Sequence, residues 1–342
     1  MTLSLPIWPY VYGSPSGQGV IRQHPADFQV TEQLSFEPSG DGEHVFLHIQ
    51  KTGENTDYVA RQLARIAQVR QRDIGYAGIK DRHAVTTQWF SVWLPGLKPD
   101  PDWSGLNSEQ LTILHTVRHA RKLKRGVLAA NHFKLRIRQW QGDRAATLQQ
   151  LDCIKTQGIP NYYGAQRFGH GGQNVSKALA MFQGSKTSRD LRSLYLSAAR
   201  SYLFNHQLAQ RVEIQNWNQA LSGDVLSFDL SHSRFHAPQI DASILARLAA
   251  HEIHPTGVLW GKGGSETTDE AYAIEQAVIA RYPELAQGLL DFGVALDRRA
   301  LRVNVQQLHW QFEDEQTLVL AFSLPAGCYA TAVLRELIEI PS

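Results

Sequence analysis

The sequence predicts an α+β chain in which one domain is inserted into another. Runs that alternate apolar and polar residues, the signature of half-buried strands, cluster before about residue 140 and return after about residue 302. Between them, from near Ile159, the composition turns aromatic and glycine-rich and then mostly helical. Strand-rich ends around a helical middle are the pattern that an insertion leaves.

The first strand is predicted over residues 27–32, with Phe28 and Val30 on one face and the polar residues on the other. A second covers residues 43–50. Residues 56–70 carry helical spacing: Val59, Leu63 and Ile66 recur on one side, and Asn55 or Thr56 can cap the start. Ile74 to Gly78 is short and apolar. Residues 88–94 alternate again, setting Phe90, Val92 and Leu94 opposite Trp89 and Trp93. A loop rich in Pro, Gly and Asp follows over 95–105, then strands over 111–117 and 133–137. A helix over 144–157 is stopped by Gly158 and Pro160. In the middle, residues 189–212 read as mostly helical, with Ala198, Tyr202 and Leu203 for burial, and 257–268 as a glycine-rich loop. Near the end, 318–324 reads as strand, Pro325-Ala326-Gly327 as a turn and 329–338 as helix.

Composition excludes several classes. Of 342 residues, 43% are hydrophobic and 19% charged, which is ordinary globular usage. No run of about 18 apolar residues offers a membrane span, and the N-terminus lacks the basic and apolar regions of a secretion signal. Cys153 and Cys328 stand far apart, so no disulfide framework or CxxC metal site is expected, and a reducing cytoplasm suits the chain. The net charge of +2 rules out a polycation, but Arg118, Arg121, Lys122, Lys124 and Arg125 lie close together, followed by Lys134, Arg136 and Arg138. Such a stripe is either a phosphate-binding surface or a solvated face.

The most informative segment is Gly75 to Gln88, which places Asp81 in a connection between two apolar runs. Connections display reactive groups. A turn aspartate bonds nearby backbone N–H groups or hydroxyls, here Thr86 and Thr87. A nucleophilic carboxylate instead needs a cation beside it. Lys80 and Arg82 point elsewhere on an extended backbone, so the partner comes from another segment, and Arg22 is a candidate. Local spacing favours the turn reading.

Phe28, Phe133, Phe168 and Tyr329 sit close to glycine or polar residues, where an aromatic either stacks on a base or fills a core. Arg167, with Gln166 and Asn161, is either a phosphate or sugar contact or a buried fork locking a turn. No metal site is expected. His115 and His119 lie on a predicted strand, where their spacing does not converge, and His251-Glu252-Ile253-His254 is not HExxH.

Six blocks stand in order across nearly the whole chain: residues 27–32; Gly78-Ile79-Lys80-Asp81-Arg82-His83-Ala84-Val85-Thr86-Thr87-Gln88; Gly126 through Asn131-His132-Phe133; Pro160-Asn161-Tyr162-Tyr163-Gly164-Ala165-Gln166-Arg167-Phe168-Gly169; residues 298–302; and Leu324-Pro325-Ala326-Gly327-Cys328-Tyr329 onward to Leu337. Together they resemble the TruD family of tRNA pseudouridine synthases. The resemblance implies an RNA isomerase that converts uridine 13 of tRNA to pseudouridine. It implies a catalytic domain of pseudouridine-synthase fold, with a mixed and mainly antiparallel sheet, over residues 1–156 and 304–342. The family's own α+β domain would then fill 157–303. It assigns Asp81 as nucleophile, Phe28, Asn131 and Tyr329 as substrate contacts, Phe133 as an active-site aromatic and Arg22 as the basic partner of Asp81. Lys is common at the position of Arg22 in the family, and Phe is frequent at that of Tyr329. No metal or organic cofactor is implied, and the implied partner is tRNA. Apart from the resemblance, no DNA or membrane partner is expected, and a monomer is expected. The alternative is a non-catalytic RNA-binding or RNA-chaperone protein, against which the intact block around Asp81 counts.

Overall fold

The computed structural model describes residues 5–96, 98–231 and 233–340. They form two compact units. One, the sheet unit, comprises Ser16–Arg144, Val305–Gly327 and the chain from Ile338. The other, the middle unit, comprises the chain up to Pro15, Ala145–Asn304 and Cys328–Leu337. Three pieces expected with the strand-rich ends therefore group with the middle. Partly buried polar links account for this. Gln150, on the Arg144–Gln157 helix, donates from Nε2 to the carbonyls of Tyr12 and Ser14. Val11 N–H donates to Glu336, and Arg335 donates to the carbonyls of Trp8 and Pro9. Such links between distant segments leave no local periodicity.

The sheet unit holds seven strands before residue 143: β1 (Gly17–Val20), β2 (Phe28–Leu34), β3 (His44–Thr52), β4 (Ile74–Tyr76), β5 (Val85–Trp93), β6 (Leu111–His119) and β7 (Leu128–Gly142). Gln306–Phe312, Leu318–Pro325 and Ile338–Glu339 complete a ten-stranded sheet among the described residues. Its main path runs Gln306–Phe312, Leu318–Pro325, β7, β2, β5, β3, β6. The β2–β5 and β1–Ile338 pairings are parallel and the others antiparallel, giving the mixed, mainly antiparallel sheet of the expected α+β class. The helix α1 (Thr56–Ile66) lays Val59, Ala60 and Leu63 on Leu47, Ile49, Phe90 and Val92.

Residues paired directly across a sheet share a face. One row runs Lys51, Thr86, Val30, Phe133, Phe322 across five strands. A neighbouring row carries Ile49 opposite Gln88, and Asn131 opposite both Glu32 and Leu324. This is the face that α1 covers in part, so it is largely apolar but contains Lys51, Thr86, Gln88, Glu32 and Asn131, all buried. The expectation for 27–32 needs correcting here: Glu32 and Asp27 are buried too, each held by a cation, Lys80 and Arg138.

α1 ends at Ile66 rather than Arg70, because Gln68 takes a left-handed φ of 51° and Val69 N–H bonds back to the Ala64 carbonyl. Its N-cap, Asn55, makes no side-chain cap; Thr56 is used elsewhere.

In the middle unit, the 25-residue helix Arg189–Glu213 is central, with Ala198, Tyr202 and Leu203 buried as expected and Phe168 in the same core. Residues 257–259 belong to a strand, Ile253–Leu259, within an antiparallel sheet of four, so the loop expected from 257 starts after Leu259. Helices at Ala242–Ala249, Asp269–Arg281 and Pro283–Asp291 complete the α+β pattern. Among the described residues, no helix is long and apolar enough to cross a membrane.

Gly288 offers a test of this packing. A Cβ there would overlap the Phe182 ring, so Gly288→Ala is expected to cost about 1–3 kcal/mol by overpacking. Urea unfolding of the variant checks it; an unchanged midpoint would contradict it.

Candidate active site

Asp81 lies in the connection from β4 to β5, and that connection is pinned from beneath. Gln88 Nε2 donates to the Gly78 carbonyl (2.6 Å), and Thr56 Oγ1 donates to Gln88 Oε1 (3.0 Å). Thr56 Oγ1 also accepts from Lys80 N–H (3.1 Å). Lys80 Nζ pairs with Glu32 Oε1 at 2.8 Å. Lys51 Nζ donates to the carbonyls of Glu54 (2.8 Å) and Asp81 (3.1 Å). The anchors Thr56, Gln88, Glu32 and Lys51 are buried, so the turn rests on a rigid floor.

The carboxylate itself satisfies both readings of Asp81. Oδ1 accepts from His83 N–H at 2.9 Å, the bond of a turn aspartate. Oδ2 meets Arg22 Nη2 at 3.1 Å, so the cation does come from another segment, and it is Arg22. Thr86 takes no part: its hydroxyl is buried without a hydrogen-bond partner. Arg22 holds a φ of 59°, uncommon for a residue with a Cβ, which its surroundings must enforce. Its guanidinium carbon lies 4.1 Å above the centre of the Phe28 ring. The Asp81 and Arg22 side chains are 36% and 29% exposed, so the pair is open to an incoming ligand.

Phe28 and Phe133 meet edge to face, with centroids 6.3 Å apart, and Phe133 stacks on Phe322 at 5.4 Å. Both are buried, and Arg22 occupies one face of Phe28, the place a flat base would otherwise take. Asn131 is one step along β7 on the same face, with its Oδ1 buried and lacking a hydrogen-bond partner. Four predicted residues, Arg22, Phe28, Phe133 and Asp81, are thus in one connected cluster, and Asn131 shares their face. Tyr329 belongs to the middle unit. There its hydroxyl accepts from Arg167 Nη2 (2.7 Å), and Arg167 Nη1 donates to Ser197 Oγ (3.0 Å). Arg167 is therefore the fork that locks local structure. Asn161 is likewise structural, donating to the Ala300 carbonyl and accepting from Arg299.

Two charged groups escaped the reading of the sequence. Burial pushes the Glu32 carboxyl above the usual carboxylate range, and the Lys80 ammonium opposes the shift. Burial lowers Lys51 to about 8, with Asp81 as the largest opposing influence. No short-range signal marks Lys51. Only the register, which sets it opposite Thr86, takes it beneath Asp81.

The chain matches the family model described as tRNA pseudouridine synthase D (TruD) over residues 4–181 and 170–337. It belongs to the TruD family. It is 50% identical over 333 residues to the tRNA pseudouridine synthase D of Methylococcus capsulatus, covering 97% of this chain and 94% of that protein. It is 44% identical over 340 residues to that of Hydrogenovibrio crunogenus, covering 99% and 98%. The crystal structure of the putative TruD from Methanosarcina mazei shares the fold, with a TM-score of 0.73 at 22% identity over 98% of this chain and 95% of that one. As a TruD-family protein it is a tRNA pseudouridine synthase, an isomerase.

TruD-family enzymes act on RNA, so the predicted basic stripe matters, and the structure divides it. Arg118 is tied to Asp100 and to the carbonyls of Gly42 and Lys98. Arg136 pairs with Glu313 and Arg138 with Asp27. Lys134 and Arg136 alternate with Phe133 and Leu135 along β7, so they occupy the opposite sheet face from the site. Of the remainder, Lys122, Lys124 and Arg125 line a groove of about 630 Å³ together with Arg72, Tyr76 and Gly75, while Arg121 lies outside it; the Lys122 ammonium donates to the Arg72 carbonyl. Gly75 is required there, since a Cβ would overlap the Leu123 carbonyl.

Proposed function

We propose that this protein converts uridine 13 of tRNA to pseudouridine in the cytoplasm, acting as a monomer with Asp81 as nucleophile on a flipped-out nucleotide. The observation that carries the reading is the Asp81–Arg22 pair, partly exposed on a turn whose neighbours are anchored by buried side chains. The reaction breaks the N1–C1′ bond and joins C1′ to C5 of the same base. N1 gains a proton and C5 loses one, so no oxidant or second substrate is consumed. Asp81 starts it either by adding to C1′ or by taking a sugar proton, and both need a carboxylate aimed from a fixed position. Arg22 and His83 N–H fix that aim. Asn131, with a free amide oxygen, suits recognition of the uracil edge, and Phe28 and Phe133 supply an apolar wall that keeps water from the rearrangement. The resemblance also assigns Tyr329 to the substrate; within its own unit its hydroxyl accepts from Arg167. The target must leave its stack to reach Asp81. The test is chemical mapping of pseudouridine in a tRNA transcript incubated with the purified protein. Modification at position 13 is the expected result. Modification elsewhere, or none, would refute the assignment.

The groove of Arg72, Lys124 and Arg125 is where the RNA backbone is expected to run, because β4, which forms its floor, leads directly into the Asp81 turn. Reversing Arg72 and Lys124 to Glu should weaken tRNA binding and reduce the slope of log K against log salt by roughly 0.7–0.9 for each phosphate the variant no longer neutralises. Arg136→Ala, which removes a guanidinium outside the groove and already paired with Glu313, should leave the slope alone. Equal slopes for all variants would exclude the groove.

A further inference from the structure

We infer that Ile79 is the wedge that enters the RNA stack when the target nucleotide leaves it. This rests on the reading of Asp81 as a group acting on a flipped-out nucleotide, and it adds the element that stabilises the flipped state. Ile79 lies two residues before Asp81 and is 70% exposed, although it is a large aliphatic side chain. A lone exposed aliphatic is ordinary on a protein surface. The mounting of this one is not. The carbonyl before it, that of Gly78, is held by Gln88 Nε2, and the N–H after it, that of Lys80, is held by Thr56 Oγ1. The Lys80 side chain is tied to buried Glu32, and the carbonyl of Asp81 to buried Lys51. Every neighbouring backbone anchor faces inward, and Ile79 alone in Gly78–Lys80 is turned out to solvent.

A nucleotide that swings out leaves a gap in its stack, and filling that gap with an apolar side chain offsets part of the cost of unstacking. The filler must be able to lie against base faces, must reach beyond the enzyme surface, and must move as one body with the catalytic group. Ile79 meets all three conditions. Its backbone is fixed to the same floor as Asp81, so the depth of insertion and the position of the carboxylate are set together. Of the two residues that follow Asp81, Arg82 is committed to the Gly53 carbonyl, and His83 gives its N–H to the Asp81 carboxylate.

The test uses the full chain and two forms of a tRNA D-arm hairpin. In one, the target uridine is stacked between ordinary neighbours; in the other, abasic sites flank it and leave no stack to break. Ile79→Ala should lower kcat/KM roughly 10- to 100-fold on the stacked RNA and about twofold or less on the abasic one. Ile79→Leu should restore most of the loss. A second readout needs no turnover. In an Asp81→Asn background, 2-aminopurine beside the target should brighten on binding, and adding Ile79→Ala should abolish the rise. Equal losses on both RNAs, no loss on either, or an undiminished fluorescence rise would overturn the wedge. Because the fluorescence arm does not depend on Asp81 chemistry, failure of the nucleophile assignment and failure of the wedge give different results.

Discussion

Asp81→Asn is expected to lower the rate of pseudouridine formation by on the order of 10⁴-fold or more, the scale seen when a nucleophile is removed. The fold should survive. Asn can still accept the His83 N–H bond, so the turn keeps its geometry. The ion pair with Arg22 that the variant gives up is partly exposed and worth less than about 1 kcal/mol. Activity and stability therefore separate. The measurement is single-turnover conversion of tRNA alongside urea unfolding. A variant that unfolds readily would leave activity loss unassigned to chemistry, so Asp81→Glu provides the second arm: it keeps the charge but displaces the carboxylate, and should also be severely slow. Near-normal turnover by Asp81→Asn would remove this residue from its role.

Lys51→Met carries the second large effect. The buried ammonium bonds the Asp81 and Glu54 carbonyls, and the charged groups around it are Asp81, Lys80, Glu54 and Glu32. Met fills the same space but leaves both carbonyls without that donor. The turn carrying Asp81 then loosens, and a displacement of about 1 Å is enough to cost roughly 10²-fold in kcat. Lys51 also predicts a pH signature. Its value falls from 10.5 to about 8 in the folded protein. Between those limits the unfolded chain holds a proton that the folded site has released, so this group favours folding more as pH rises from about 8 to 10.5. Activity should move the other way. Loss of the charge next to Asp81 should depress kcat above pH 8, and Lys51→Met should lack that limb. A wild-type profile flat to pH 10, or a variant profile with the same limb, would refute the role.

Much of the fold was legible in the sequence because strands that are half buried must alternate. Phe90, Val92 and Leu94 could be assigned to one face from spacing alone, and the Arg144–Gln157 helix from its Gly and Pro stop. The ends of α1 and the start of the loop after Leu259 were not, since Gln68 adopts a glycine-like conformation and the glycine at 257 sits inside a strand. Gly257 is packed against Phe204 and Leu301, a reason for glycine that has nothing to do with turning. The site divides in the same way. Asp81 could be singled out by its connection, and Arg22 as a partner from a distant segment. Lys51, Glu32, Thr56 and Gln88 could not, because each is an ordinary residue whose importance arises from which strand lies beside which. The basic stripe misled for a related reason: contiguous in sequence, it is split between two faces and several ion pairs in space.

The central claim is that this chain makes pseudouridine at position 13 of tRNA through Asp81. It is tested most directly by mapping pseudouridine in tRNA from cells lacking the protein, then supplied with either the unaltered chain or Asp81→Asn. The modification at position 13 should vanish without the protein, return with the unaltered chain and stay absent with Asp81→Asn. Persistence of that pseudouridine in the deletion, or its return with Asp81→Asn, would contradict the account.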